Sequence, residues 1–76
     1  MVYIGYWFSG TSSNVDPRKD TNIKKLRAHL RYVARGNRTS PTMSAGYTIY
    51  YLDNGKGVQE DGAYIRGKWN VVTYEV

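Results

Sequence analysis

Three arginines dominate the chemistry that this sequence could perform. Arg27, Arg31 and Arg35 follow one another at intervals of four residues, and this spacing places them side by side on one face of an α-helix. Like charges at that spacing destabilise a helix by roughly 0.2–0.5 kcal/mol per pair. Because a guanidinium group binds phosphate through a planar fork of N–H donors, the series predicts a surface for an anionic ligand.

The charge of the surrounding segment supports this interpretation. No Asp or Glu occurs between Thr21 and Leu52, where the formal charge is +6, while the rest of the 76-residue chain carries −1. A surface of one sign attracts acidic partners, of which nucleic acid is the commonest. We therefore expect nucleic acid (DNA or RNA) or an acidic protein surface to contact six residues, namely Lys24, Arg27, Arg31, Tyr32, Arg35 and Arg38.

Two structural explanations of the arginine series stay open at this stage. A basic helix face in contact with water is common. Carboxylates on the far side of the sheet, such as Glu60 or Glu75, could also reach the arginines and offset their repulsion. In either case the arginine series would belong to the fold itself and would not indicate a ligand.

The sequence gives little support to catalysis or metal binding. It contains one histidine and no cysteine, so disulfides, thiolate zinc sites and multi-histidine metal sites are excluded. His29 lies beside an apolar stripe and is interpreted as a packing residue. Glu60 and Asp61 are adjacent on a predicted strand and therefore point to opposite faces. We expect no enzyme, no cofactor and no metal; a small nuclease is the enzymatic alternative.

The arginines lie side by side only if their segment is helical. The sequence pattern predicts a helix from Ile23 to Arg35. Asp20, Thr21 or Asn22 could cap its N-terminus with a side-chain oxygen, and Gly36 follows its last turn, where a left-handed residue commonly ends a helix. The predicted core face is the apolar stripe at the helical period, formed by Ile23, Leu26, Leu30, Val33 and Ala34.

Four strands are predicted around this helix from their content of β-branched and aromatic residues. They are Met1–Ser9, Tyr47–Asp53, Gly57–Arg66 and Trp69–Val76.

Short turns are predicted to join the last three strands. Asn54-Gly55 predicts a type I′ hairpin, and Gly67-Lys68 suits a type II′ turn. Asp61-Gly62 is interpreted as a bulge or a break in its strand. The polar composition of Gly10–Asp20 and Asn37–Gly46 predicts loops.

These elements predict one α+β domain over residues 1–76. Its architecture is a two-layer βαβββ domain, with one helix packed on a four-stranded, mainly antiparallel sheet. No apolar run approaches the ~20 residues of a membrane span, and no signal-peptide pattern opens the chain, so we expect no membrane partner and a cytoplasmic location.

One helix can cover only one face of such a sheet. We interpret the other face as a platform on which bases stack, a dimer or partner interface, or a surface covered by loops. A homodimer is the form of interface that we expect most. The aromatic residues expected at this interface are Tyr3, Trp7, Tyr50 and Trp69.

Two functions follow as hypotheses. The first is a small non-enzymatic module that binds nucleic acid, with the basic helix and the loop after it on the phosphates. The alternative is a protein-binding inhibitor or adaptor of the kind that phages and mobile elements encode, which would block a host enzyme or complex through the basic helix or the aromatic face. One continuous surface of arginines and aromatics would favour a nucleic-acid groove, whereas opposite sides would favour a dimer that presents two basic helices.

Overall fold

One helix packs against an antiparallel sheet in the computed structural model, which describes all 76 residues. The α+β class and the two-layer arrangement of one helix on an antiparallel sheet agree with the prediction. In chain order the elements are β1 (Tyr3–Ser9), β2 (Ser12–Ser13), β3 (Arg18–Asp20), α1 (Ile23–Gly36), β4 (Ala45–Asp53), β5 (Lys56–Ile65) and β6 (Lys68–Glu75).

The sheet has six strands, so the predicted number of four is wrong. Its order is β2-β1-β4-β5-β6, with β3 also paired to β1, and every pairing is antiparallel. The two additional strands lie within Gly10–Asp20, which composition predicted to be a loop. The side chain of Asn14 holds this segment against β1: its Oδ1 accepts from the Trp7 backbone N–H at 3.1 Å, and its Nδ2 donates to the Asp16 carbonyl at 2.8 Å.

Asn22 caps the N-terminus of helix α1. The Asn22 side chain accepts a hydrogen bond from the Lys25 backbone N–H at 3.1 Å, which satisfies one of the free donors of the first turn. Gly36 is the last helical residue and has no positive φ, so the left-handed stop expected there is wrong. Asn37 ends the helix instead, because its backbone N–H and its side-chain Nδ2 both donate to the Val33 carbonyl.

The hairpin turns follow from backbone conformations that few residues tolerate. Asn54 and Gly55 have φ values of 50° and 79°, as a type I′ turn requires. The second turn is centred on Arg66 and Gly67, with φ values of 52° and 81°. It lies one residue before the predicted Gly67-Lys68 turn because Lys68 is already paired with Ile65.

Strand β5 runs through Asp61-Gly62 without the expected bulge or break. Gly62 lies directly opposite Tyr47 on β4, and the Tyr47 ring packs on its backbone. A Cβ atom at Gly62 would lie 1.9 Å from a carbon of that ring. The glycine therefore makes room for an aromatic side chain and does not interrupt the strand.

The core lies between α1 and the central strands. Leu26 and Leu30 approach β1 so closely at Gly5 that a Cβ atom there would lie 2.7 Å from a Leu30 methyl carbon. Both leucines are fully buried with Tyr47 and Ile49 of β4. The helix packs on β1 and β4, whereas every β6 residue except Trp69 is exposed. The helix has neither the length nor the apolar character that a membrane crossing requires.

Candidate functional site

The two predicted surfaces lie on opposite sides of the sheet. Helix α1 and its arginines cover one face, and we call the other the open face. Tyr3, Trp7 and Trp69 of the predicted aromatic interface pack against the core on the helix side, whereas Tyr50 is on the open face and 39% exposed. The predicted set therefore forms no single surface. Alternation along the strands sets the aromatic residues of the open face, which are Tyr6, Phe8, Tyr50 and Tyr74.

Arg27 is held by a buried carboxylate of the sheet. Its Nε and Nη2 donate to the two oxygens of Glu60 at 2.7 and 2.8 Å, and the Tyr47 hydroxyl donates to the same carboxylate at 2.8 Å. Burial raises the pKa of Glu60, but the hydrogen bonds from Arg27 and Tyr47 and the nearby positive charge outweigh it, so this pKa lies below its ordinary value. The predicted anion contact of Arg27 is therefore occupied from within the protein.

Arg31 lies over two aromatic rings. Its guanidinium carbon is 5.6 Å from the centroid of Tyr47 and 5.2 Å from that of Trp69. Its Nη2 donates to the Tyr47 hydroxyl at 3.5 Å, while its buried Nε has no hydrogen-bond partner. The cation interacts with the negative faces of these rings and joins the helix to β4 and β6.

Arg35 and Arg38 share a third ring. Their guanidinium carbons lie 4.9 and 5.2 Å from the centroid of Tyr64 on β5. Arg38 also donates through Nη2 to the carbonyl of Pro41. Both guanidinium groups are thereby restrained in direction while Arg35 remains exposed.

The repulsion among the three helix arginines is thus offset at each position by groups of the protein itself. Glu60, one of the two acids considered, offsets Arg27, and aromatic faces receive Arg31 and Arg35. The other acid, Glu75, lies 3.8 Å from Lys56 at the far end of the sheet.

Lys24 and Tyr32 differ from the arginines because the sheet does not engage them. Lys24 is exposed and makes no hydrogen bond or ion pair. Tyr32 is 80% exposed on the helix surface. The six predicted contact residues therefore divide into Arg27 and Arg31, which join the layers, and Lys24, Tyr32 and Arg35, which are exposed. Arg38 is half-buried, and its buried Nε has no hydrogen-bond partner.

Arg35 and Arg38 lie at one end of the molecule with two further cations. Helix α1 starts beside the beginning of β1 and ends beside Tyr64 of β5, where β5 turns into β6. Arg66 and Lys68 at that turn are both exposed. No sequence pattern points to these two residues, because none brings the turn beside the end of the helix. We call Arg35, Arg38, Arg66 and Lys68 the basic end.

No carboxylate lies in the two chain segments that carry the basic end. Residues 35–44 and 64–68 contain no Asp or Glu. Asp53 and Glu75 lie at the opposite ends of their strands.

A groove of about 460 Å³ opens between the loop after α1 and the β5–β6 turn. Hydroxyl groups lie along the loop, where the Ser40 and Thr42 oxygens are 3.0 Å apart. The groove combines guanidinium groups, hydroxyls and one aromatic ring, the set of groups that typically contacts phosphate and sugar oxygens. Its polar and aromatic lining residues are Arg38, Thr42, Ser44, Tyr64 and Arg66.

The open face has a different character, with one carboxylate among apolar side chains. Asp61 accepts hydrogen bonds from Thr48 and Gln59, each at 2.9 Å, and from the Tyr74 hydroxyl at 2.6 Å. Burial raises the pKa of Asp61, but these three donors outweigh it and leave the pKa lowered. Apolar side chains of this face are exposed around it, among them Leu52 at 64% and Val72 at 60%.

His29 is half-buried on the helix. Burial lowers its pKa, and the positive charge of Arg18 lowers it further. No three His, Asp or Glu side chains come close enough together to hold a metal ion. No protein-family model, curated protein or solved structure matches the chain, so the proposals below depend on the geometry alone.

Proposed function

We propose that the protein is a non-enzymatic module that binds nucleic acid through its basic end. The observation that carries this proposal is the groove that Arg38 and Arg66 line, with Arg35 on the same Tyr64 ring as Arg38. Residues 35–44 and 64–68, which contain these arginines and Lys68, have no Asp or Glu. Each cation neutralises a phosphate and releases a counterion when nucleic acid binds. Exposed Tyr32 and Lys24 extend the surface along the helix.

Two arginine side chains of the basic end are restrained before any ligand binds, which supports this proposal. A flexible arginine loses conformational freedom when it binds, at a cost of roughly 0.5–1.5 kcal/mol for one side chain. The Tyr64 ring already orients Arg35 and Arg38, and the Pro41 carbonyl fixes Arg38 further. Much of that cost is therefore met in the free protein.

The test is fluorescence anisotropy with labelled single-stranded DNA, duplex DNA and RNA at several salt concentrations. We expect affinity to fall steeply with salt. The double substitution Arg35→Gln with Arg66→Gln should reduce the slope of log K against log salt by about two. It should also weaken binding about equally for every sequence, because phosphate contacts carry no sequence information.

A control variant with the same net charge separates the site from the total charge. Lys19→Gln with Lys56→Gln also removes two positive charges, but from β3 and the start of β5, which lie away from the basic end. We expect near wild-type affinity from it. Equal losses from both variants, or no binding at low salt, would contradict the proposal. Circular dichroism confirms that each variant is folded.

A protein-binding inhibitor or adaptor is the second candidate, and the open face favours it. Exposed aromatic and aliphatic side chains are typical of contact residues in protein interfaces, and the face lies on the side of the sheet opposite to helix α1. The candidate predicts a stoichiometric complex that survives nuclease treatment and is lost in Tyr50→Ser. The matched control is Tyr32→Ser on the helix, which should leave the complex intact.

A further inference from the structure

Strand β6 is an open edge of the sheet over its whole length. Val71, Val72 and Tyr74 are 42%, 60% and 43% exposed, although they point to alternate faces. Proteins usually protect such edges with short strands, charges or proline. The opposite edge follows that rule, because β2 and β3 pair with β1 and Asn14 accepts the Trp7 backbone N–H between them.

The register shows which backbone groups of β6 are free. The Val76 N–H donates to the Gly57 carbonyl on β5 at 3.0 Å, and inward and outward bonding alternates along an antiparallel strand. The even-numbered residues of β6 therefore bond to β5. The outward N–H and C=O groups belong to Trp69, Val71, Thr73 and Glu75, and no other strand of the chain reaches them.

We infer that β6 pairs with β6 of a second copy of this chain, antiparallel and about a two-fold axis perpendicular to the sheet, to form one continuous sheet across a homodimer. Such an axis keeps each side chain on its own face. Two residues that face each other must then both be odd-numbered or both be even-numbered. Pairing centred on Val71 meets this condition and uses outward N–H and C=O groups at the axis.

Charge complementarity favours a second copy over an unrelated extended peptide. Antiparallel pairing centred on Val71 sets Glu75 of one copy opposite Gly67 of the other, beside its basic end. Centred on Val71, it also sets Lys68 opposite Tyr74 of the second copy on the open face. That tyrosine donates to Asp61, so the Lys68 ammonium gains a carboxylate within reach, while the two Lys68 residues stay about 20 Å apart.

Cysteine cross-linking tests the pairing directly, because the chain has no cysteine of its own. Opposed residues of a hydrogen-bonded antiparallel pair have Cα atoms about 5.5 Å apart, within the range that a disulfide bridges. Val71→Cys should therefore form a covalent dimer under mild oxidation. Thr73→Cys should not, since the two copies of Thr73 lie about 14 Å apart, and Val15→Cys controls for random collision at a 94% exposed site.

Light scattering across a concentration series gives a second measurement that needs no cysteine. The wild type should approach twice its 8.7 kDa mass, and Val71→Pro should weaken self-association roughly tenfold or more, because it removes an N–H from each copy at the axis. Proline suits an edge position whose N–H makes no bond to β5. Lys68→Glu should also favour the monomer, whereas Lys25→Glu on the helix should not.

A monomer at millimolar concentration, or a cross-link formed more readily at Thr73 than at Val71, would overturn the inference. A complex with an extended peptide from another protein and no self-association would overturn it as well. Neither experiment contains nucleic acid, so the result does not depend on the proposed function.

Discussion

Glu60→Gln hardly changes the shape of the side chain, but we expect it to lower the stability of the fold strongly. The Glu60 side chain is 6% exposed and accepts three hydrogen bonds, two from Arg27 and one from Tyr47. Glutamine keeps the volume and one acceptor oxygen but removes the negative charge. Arg27 is then left as a partly buried cation with no acid beside it.

The expected loss lies between two limits. Breaking a fully buried ion pair costs about 3–5 kcal/mol, whereas an exposed pair contributes about 0–1 kcal/mol. The Arg27 side chain is 26% exposed, so water can partly solvate the stranded cation, and we expect a loss of about 2–3 kcal/mol. A domain of 76 residues is stable by only about 4–11 kcal/mol, so the change is a large fraction of the total.

Urea unfolding followed by tryptophan fluorescence measures this loss. Trp7 and Trp69 both pack against the core and report on it from two strands. Glu75→Gln is the matched control because it removes a carboxylate from the exposed pair with Lys56 at 3.8 Å, and it should change the free energy of unfolding by less than about 0.5 kcal/mol. A loss below about 1 kcal/mol for Glu60→Gln would refute the reasoning.

The pH dependence of the same variants gives an independent check. The pKa of Glu60 is lower in the folded protein than its ordinary value of 4.5, so the unfolded chain binds this proton more readily. The contribution of Glu60 is therefore fully present above pH 4.5 and is lost as the pH falls through the folded-state pKa. Glu60→Gln should make this acid limb of the stability curve shallower, while the part that arises from the lowered pKa of Asp61 remains.

Two further predictions concern packing and the single histidine. Gly62→Ala should destabilise the fold by about 1–3 kcal/mol, since a Cβ atom would meet the Tyr47 ring at 1.9 Å; thermal unfolding that matches wild type would contradict this. His29 has a lowered pKa in the folded state, so the unfolded chain binds its proton more readily and stability should fall as the pH drops below about 6.5. His29→Gln should remove that loss in urea titrations between pH 7.5 and 5.5, and a loss that persists would exclude His29 as its source.

The helix and the hairpin strands were predictable because their signals are local. The apolar stripe of α1, its Asn22 cap and the Asn54-Gly55 turn each depend on residues within a few positions of one another. Strands β2 and β3 were missed since Ser12–Ser13 and Arg18–Asp20 have no strand composition. They form because β1 offers a free edge and Asn14 holds the segment beside it.

The candidate site was predictable in part for the same reason. The helix spacing of the arginines could be recognised from the sequence, and Glu60 was among the acids considered for their neutralisation. Which rings receive Arg31, Arg35 and Arg38 depends on the register of β5 and β6, and so does the position of Arg66 and Lys68 beside the helix end. No local pattern contains that register, and the β5–β6 turn was predicted one residue too late.

Nucleic-acid binding at the basic end and pairing along β6 are compatible in one dimer. The basic helix and the aromatic open face lie on opposite sides of the sheet, which argues against a single groove that uses both. Pairing along β6 would place Lys68 of each copy against the other copy and leave the arginines of the two basic ends near opposite ends of the shared strands, where the two Lys68 residues are about 20 Å apart. Two weak phosphate-binding surfaces on one rigid sheet can bind a single strand of nucleic acid together, and the second contact then forms at a high effective concentration. Pairing of β6 would thus raise the affinity of a small phosphate-binding surface without adding any phosphate contact within one copy.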